Sequence, residues 1–212
     1  MTFVNFQERD LVEFACSITT MKKILIINCH PRAGSYTDAL GMAYKRGVGA
    51  DRAEFREIFI RDLKFDPNLA NGYHKRTELE PDLLACWEQI QWCDHMVWVH
   101  PVWWGGLPAM TKGFLDRLFL PGFVFQYREN SVWWDKLLKG KSARIIVTMD
   151  QPAWYYWMFN GEPSINQLKK TVLKYCGVNP VKVTALGPIR RSNEKQRANW
   201  LKKVEQMGMR LA

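Results

Sequence analysis

Three short segments of this sequence carry residue types suited to holding a flat, charged ligand. The most distinctive is Pro101-Val102-Trp103-Trp104-Gly105-Gly106-Leu107-Pro108. Its two indoles offer flat apolar faces, and the adjacent glycines let a planar ligand come close to the backbone. A loop that only connects two elements has little use for such a composition. The second segment is His30-Pro31-Arg32-Ala33-Gly34-Ser35, followed by Tyr36-Thr37-Asp38. Small residues and hydroxyls lead there into a helix N-cap signal, and a helix start offers free N–H groups and a positive dipole end to a phosphate. Arg32 and His30 can add charge or hydrogen bonds; the plain alternative is an ordinary strand-to-helix turn. The third segment, from Met149 to Gly161, gathers Trp154, Tyr155, Tyr156, Trp157 and Phe159. Aromatics in a loop suit stacking on a ring substrate, a subunit contact, or packing beneath the loop.

The surrounding elements decide whether these segments can meet. Ile24 to Cys29, broken only by Asn28, and Met96 to Val99 are short apolar runs, the mark of strands buried on both faces, and Arg144-Ile145-Ile146-Val147-Thr148 reads as a further strand. Glu54 to Ile60 and Val181 to Ala185 alternate, the latter as an edge strand would. Helix patterns lie between them: Leu40, Ala43 and Tyr44 after Ser35; Leu83, Trp87 and Ile90 after Pro81; Met110, Phe114 and Leu118 after Pro108. Ser164-Ile165-Asn166-Gln167 reads as a capping box, with Ile165, Leu168 and Val172 continuing a stripe that stops at Gly177. A last helix starts near Ser192 and buries Leu201, Val204 and Met207. Five strands alternating with helices imply an α/β domain, a parallel sheet with helices on both faces. Pro121 to Lys139 reads as an excursion from it. All three unusual segments then leave the carboxyl ends of strands, where open parallel sheets bind ligands.

Composition narrows the function classes. The 212 residues suit one domain, and 47% hydrophobic residues supply a core. The net charge of +9 is spread over scattered Lys and Arg, without zinc-finger spacing or an RNA-binding aromatic motif, so neither nucleic-acid binding nor a metal site is expected. The five cysteines, Cys16, Cys29, Cys86, Cys93 and Cys176, form no C-x-x-C and read as reduced thiols of a cytoplasmic protein. No apolar stretch approaches the ~20 residues of a membrane span, so membrane insertion is not expected. Met21-Lys22-Lys23 reads like a natural start, which leaves residues 1–20 as an N-terminal extension before a domain over 21–212.

The run Pro101-Val102-Trp103-Trp104-Gly105-Gly106-Leu107-Pro108-Ala109-Met110-Thr111-Lys112-Gly113-Phe114-Leu115-Asp116-Arg117 strongly resembles the signature of the NAD(P)H quinone oxidoreductases. That family includes the DT-diaphorase type, bacterial flavodoxin-like reductases and potassium-efflux ancillary proteins. Ile26-Ile27-Asn28-Cys29-His30-Pro31 and Gly34-Ser35-Tyr36-Thr37 resemble its first flavin-binding loop, and the likeness runs from about Lys22 to the end. The resemblance implies a three-layer flavodoxin-like fold with a five-stranded parallel sheet, a non-covalent flavin, and a homodimer with the flavin near its interface. FMN is favoured over FAD, because little C-terminal chain is left to cover an adenine. NADPH or NADH would pass a hydride to the flavin, and a quinone or similar electrophile would take it in a second, ping-pong step.

Carried onto this chain, the resemblance places His30, Ser35, Tyr36 and Thr37 at the flavin phosphate side. It places Pro101, Val102, Trp103, Trp104 and Gly105 along the isoalloxazine ring, and Thr148 at the start of the third flavin loop. Tyr156, eight residues after Thr148, stands where the family has an acceptor-pocket tyrosine. Tyr155 or Tyr156 would hydrogen-bond an acceptor oxygen, oriented by Asp150. The chain departs from the family at Met149-Asp150-Gln151-Pro152, where many relatives have a Gly-Gly stretch, and at Glu162, near the place of the pocket histidine. The alternative implied by the resemblance is a regulatory ancillary subunit of a potassium-efflux-type transporter with incidental reductase activity. The basic charge argues against a one-electron flavodoxin carrier, whose docking surface is commonly acidic.

Overall fold

The computed structural model describes residues 21–211; the expected extension over 1–20 and Cys16 lie outside the described residues. The first strand, β1 (Lys22–Asn28), buries every residue from Ile24 to Asn28. Helix α1 (Tyr36–Val48) follows, its N-cap Ser35 accepting the Asp38 N–H at 3.3 Å. β2 (Ala53–Phe59) alternates, as an edge strand with one wetter face does. α2 (Pro81–Trp92) starts on a proline, whose missing N–H has no partner to lose in a first turn. β3 (His95–Pro101) is buried at all seven positions, and α3 (Ala109–Leu118) follows it. The expected excursion holds a small antiparallel hairpin, β4 (Phe125–Tyr127) and β5 (Trp134–Lys136). β6 (Ser142–Thr148), α4 (Ala153–Asn160), the short α5 (Pro163–Asn166), β7 (Val181–Leu186) and α6 (Glu194–Met209) complete the chain.

The five main strands pair in the order β2-β1-β3-β6-β7, and every pairing is parallel. Strand side chains alternate between two cores. Leu25, Ile27, Met96, Trp98 and Ile145 face α2 and α3, packing on Leu83, Ile90, Phe114 and Leu118. Ile24, Ile26, Val97, Val99 and Ile146 face α1 and α6, packing on Leu40, Tyr44 and Val204. The helices α1 and α6 touch backbone to backbone: a Cβ on Gly47 would collide with the Glu205 carbonyl, and one on Gly208 with that of Tyr44. The irregular segment 63–80 is held down by the buried Arg117. Its guanidinium donates to the Asp66 and Glu78 carbonyls and pairs with Glu80 at 2.8 Å.

Several sequence expectations need correction. The Met149–Gly161 segment is not a plain loop, because Ala153–Asn160 is helical. Its run of bulky aromatics hides helical periodicity: Tyr156 is the buried side chain, while Trp154, Trp157, Met158 and Phe159 are exposed. Ser164 does not cap its helix either. Glu162 precedes α5 without a side-chain cap, and the Ser164 hydroxyl meets Tyr156 instead. Beyond α5 the chain winds as a π-helix over Gln167–Lys174. Its wider turn buries Leu168 and Leu173, five apart, so Val172 is only half-buried rather than at the centre of an α-helical stripe. The final helix does begin near Ser192 as expected: Asn193 is its N-cap, and Gln196 completes a reciprocal capping box.

Candidate functional site

The sheet order reverses between β1 and β3: from β1 the chain moves out to β2, and from β3 toward β6 and β7. Loops leaving the carboxyl ends of these neighbouring strands diverge and leave a crevice. A cavity of about 320 Å³ lies there, inside the ordinary range for small-molecule sites. His30, Arg32, Tyr36 and Thr37 line one part of it; Pro101, Val102, Trp103, Thr148, Met149 and Asp150 line another; Ile189 and Arg197 close the side.

The turn after β1 is built by short polar contacts. Asn28 Oδ1 accepts the His30 N–H at 3.1 Å, and Asn28 Nδ2 donates to Asp38 at 2.6 Å. Asp38 also accepts the Gly34 N–H at 2.9 Å and pairs with Arg61 at 3.0 Å, so this carboxylate is balanced within the protein. The Arg32 N–H donates to His30 Nδ1 at 3.0 Å, which leaves the neutral imidazole proton on Nε2. Burial is the main cause lowering the His30 pKa, so the ring favours its neutral form. The amides of Ser35, Tyr36 and Thr37 make no hydrogen bond among the described residues. Three consecutive free donors at the positive end of α1, beside the Arg32 and Arg197 guanidinium groups, suit a phosphate.

The other part is a flat apolar wall on a rigid turn. Val102 N–H donates to the Thr148 carbonyl at 2.8 Å, tying the ends of β3 and β6 together. Trp103 and Gly106 exchange two backbone hydrogen bonds, of 3.1 and 2.9 Å, around a tight turn. Trp104 and Gly105 both have positive φ there, 51° and 76°, as a two-residue primed turn demands. Glycine suits the second position; a tryptophan at the first is strained. Arg197 belongs to distant α6, and its side chain is fixed by Ser192 Oγ at 2.9 Å and the Ile189 carbonyl at 3.2 Å. Its own carbonyl accepts the Tyr36 hydroxyl at 2.8 Å.

Of the residues expected at the cofactor, His30, Tyr36, Thr37, Pro101, Val102, Trp103 and Thr148 come together around this one slot. Ser35 does not line it: its hydroxyl is engaged with Thr37 and Asp38 beneath the turn. Trp104 stands out at the loop tip, fully exposed, and Gly105 packs toward Pro163. Tyr155 is on the outer side of α4, tilted against Phe159. Tyr156 points inward and is fully buried; its hydroxyl meets the Gly105 carbonyl at 2.7 Å and Ser164 Oγ at 2.8 Å. The acceptor-pocket place that the resemblance gave Tyr156 is thus behind the tryptophan turn, because the side chain fills the inward face of α4. Sequence reasoning missed Arg197, Ile189 and Met149. Arg197 meets Tyr36 across 161 positions, a separation no local pattern bridges.

The four described cysteines, Cys29, Cys86, Cys93 and Cys176, are buried and unpaired. Burial pushes Cys29, Cys86 and Cys176 up to about 12 and Cys93 to about 11. None of them is in the slot.

Residues 22–208 match a family described as having the flavodoxin-like fold. A Haemophilus influenzae protein named an uncharacterized NAD(P)H oxidoreductase is 30% identical over 148 residues, 66% of this chain and 72% of its own. A Bacillus anthracis protein named FMN-dependent NADH:quinone oxidoreductase 3 is 29% identical over 200 residues, 82% of this chain and 91% of its own. Among solved structures, the Smu.1420 protein of Streptococcus mutans superposes with a TM-score of 0.78 at 31% identity, covering 89% of this chain and 99% of that one.

Proposed function

The chain belongs to this family of flavodoxin-like fold proteins, and on that premise we propose that it is a flavin-dependent NAD(P)H oxidoreductase that reduces quinone-like acceptors. The observation that carries the reading is the slot itself: free amides and two guanidinium groups at one part, an indole wall at the other, at the switch point of a parallel sheet. A phosphorylated planar ring fits that chemistry, and FMN is the flavin in the name of the Bacillus anthracis relative. When bound, the flavin supplies the capacity to accept a hydride from NAD(P)H and pass electrons onward.

The protein's own residues bind, orient and shield. The Tyr36 and Thr37 amides with Arg32 and Arg197 would hold the phosphate. His30 Nε2 is a neutral donor along the tail. Pro101, Val102 and Trp103, with Thr148, Met149 and Asp150, would line the ring. With Tyr156 buried, Tyr155 on exposed α4 is the candidate that would hydrogen-bond an acceptor oxygen. The enzyme works as a homodimer, with the exposed Trp104, Trp154, Trp157, Met158 and Phe159 covered by a second copy; such a cluster is costly to leave in water. Residues 21–212 form the flavin-binding domain and residues 1–20 an appended segment. No helix among the described residues is long and apolar enough to cross a membrane. The unpaired cysteines fit the reducing cytoplasm.

The test is direct. The purified protein, reconstituted with FMN, acquires the yellow flavin spectrum, and NADH or NADPH bleaches it until a quinone restores the colour. A protein that retains neither FMN nor FAD would overturn the reading.

A further inference from the structure

We propose that Tyr156 and Ser164 are positioning residues: together they clamp the Gly105 carbonyl and so fix the tryptophan turn against which the flavin ring is read. This deepens the flavin reading above and rests on it. Three contacts converge on one buried point. The Tyr156 hydroxyl donates to the Gly105 carbonyl at 2.7 Å; the Ser164 N–H donates to the Tyr156 oxygen at 2.9 Å and lies 3.2 Å from the same carbonyl; Ser164 Oγ lies 2.8 Å from the Tyr156 oxygen. A phenol has one proton, and Gly105 takes it. Ser164 Oγ therefore donates to the Tyr156 oxygen, and every group in the cluster is satisfied. Tyr156 and Ser164 are both fully buried, so water does not substitute for these bonds.

The clamp acts on a strained turn. Trp104 sits at φ 51°, a conformation a bulky residue holds only when its surroundings impose it. Fixing the Gly105 carbonyl fixes the peptide plane that follows, and the Gly106 N–H in that plane closes the turn on Trp103 at 2.9 Å. It also limits the orientation of the Trp104 and Gly105 amides, which make no hydrogen bond among the described residues. The Trp104 side chain lies outside the slot, so it is the backbone N–H groups of this turn that the clamp would present to the ring; donors held in place before negative charge builds stabilise it more than donors that must reorganise. The clamp thus ties the ring loop to α4 and α5 at a buried point outside the slot.

The test compares Tyr156→Phe and Ser164→Ala with the wild-type chain in three measurements. In the flavin-free protein, amide hydrogen exchange over Trp103 to Leu107 accelerates on the order of tenfold in Tyr156→Phe, and less in Ser164→Ala, which keeps the Ser164 N–H contacts. In the FMN-loaded protein, the dissociation constant of FMN rises on the order of tenfold, the flavin midpoint potential becomes more negative, and the quinone KM stays constant. Unchanged exchange and potential with a raised quinone KM would overturn the proposal and make Tyr156 an acceptor contact. Should Tyr156→Phe fail to fold, Ser164→Ala alone decides on the same readouts. A wild-type chain that takes up no flavin sinks the functional reading, while the exchange measurement still judges the clamp.

Discussion

His30 and Trp103 meet edge to face, with ring centroids 5.9 Å apart and planes inclined at 73°. One ring comes from the turn after β1 and the other from the loop after β3, so this contact joins the two halves of the slot across the switch point. It also makes the Trp103 orientation depend on a histidine that burial keeps neutral.

Trp103→Ala removes both the wall and the contact with His30. Aromatic pairs contribute about 0.5–1.5 kcal/mol beyond burial, so FMN affinity falls roughly threefold to tenfold in this variant. Quenching of flavin fluorescence on titration measures it. An unaltered dissociation constant would mean that the ring lies elsewhere.

Arg32 lines the phosphate part from an exposed position in the turn, so its truncation leaves the core untouched. A hydrogen bond to a charged group contributes about 1.5–3 kcal/mol, and Arg32→Ala weakens FMN binding on the order of tenfold or more. Riboflavin, which lacks the phosphate, binds the variant and the wild type alike. Equal losses for both ligands would show that Arg32 does not face the phosphate.

Stability depends on pH through two buried histidines. Burial lowers His95 and His100 from 6.5 to about 4. As pH falls below 6.5 the unfolded chain binds protons that the folded chain refuses, so their penalty is absent at neutral pH and grows down to about pH 4. At about 1.4 kcal/mol per pKa unit, each histidine removes on the order of 3 kcal/mol across that window. Urea unfolding from pH 7 to pH 4.5 shows a falling midpoint, and His100→Leu makes the fall shallower. A midpoint independent of pH for both proteins contradicts this assignment.

Trp157 and Phe159 are more than half exposed on α4, at 62% and 63%. Replacing both with aspartate sets like charges against each other across a twofold interface. Sedimentation then reports a monomer for the variant and a dimer for the wild type, with unchanged far-ultraviolet dichroism. A wild-type chain that sediments as a monomer removes the homodimer.

The sheet was legible because strands buried on both faces leave continuous apolar runs, as at Ile24–Ile27 and Met96–Val99. Two of the three site segments were legible for a related reason: indoles beside glycines, and hydroxyls before a helix, are local signatures. The third was not. Packed aromatics from Trp154 to Phe159 carry no contrast between inside and outside, so neither the helix nor the inward turn of Tyr156 shows in the pattern. Ser164 displayed a capping signature, but the nearby phenol claimed its hydroxyl. Arg197 reaches the slot only because α6 packs backbone to backbone on α1 at Gly47 and Gly208. Sequence order holds no record of that approach.

The burial of the cysteines has a chemical consequence for the proposed acceptor class, the quinones. Such rings are electrophiles, and a thiol adds to them through its thiolate. Cys29, Cys86, Cys93 and Cys176 stay protonated and out of contact with solvent. At these four positions the chain is spared arylation by acceptors of the proposed class.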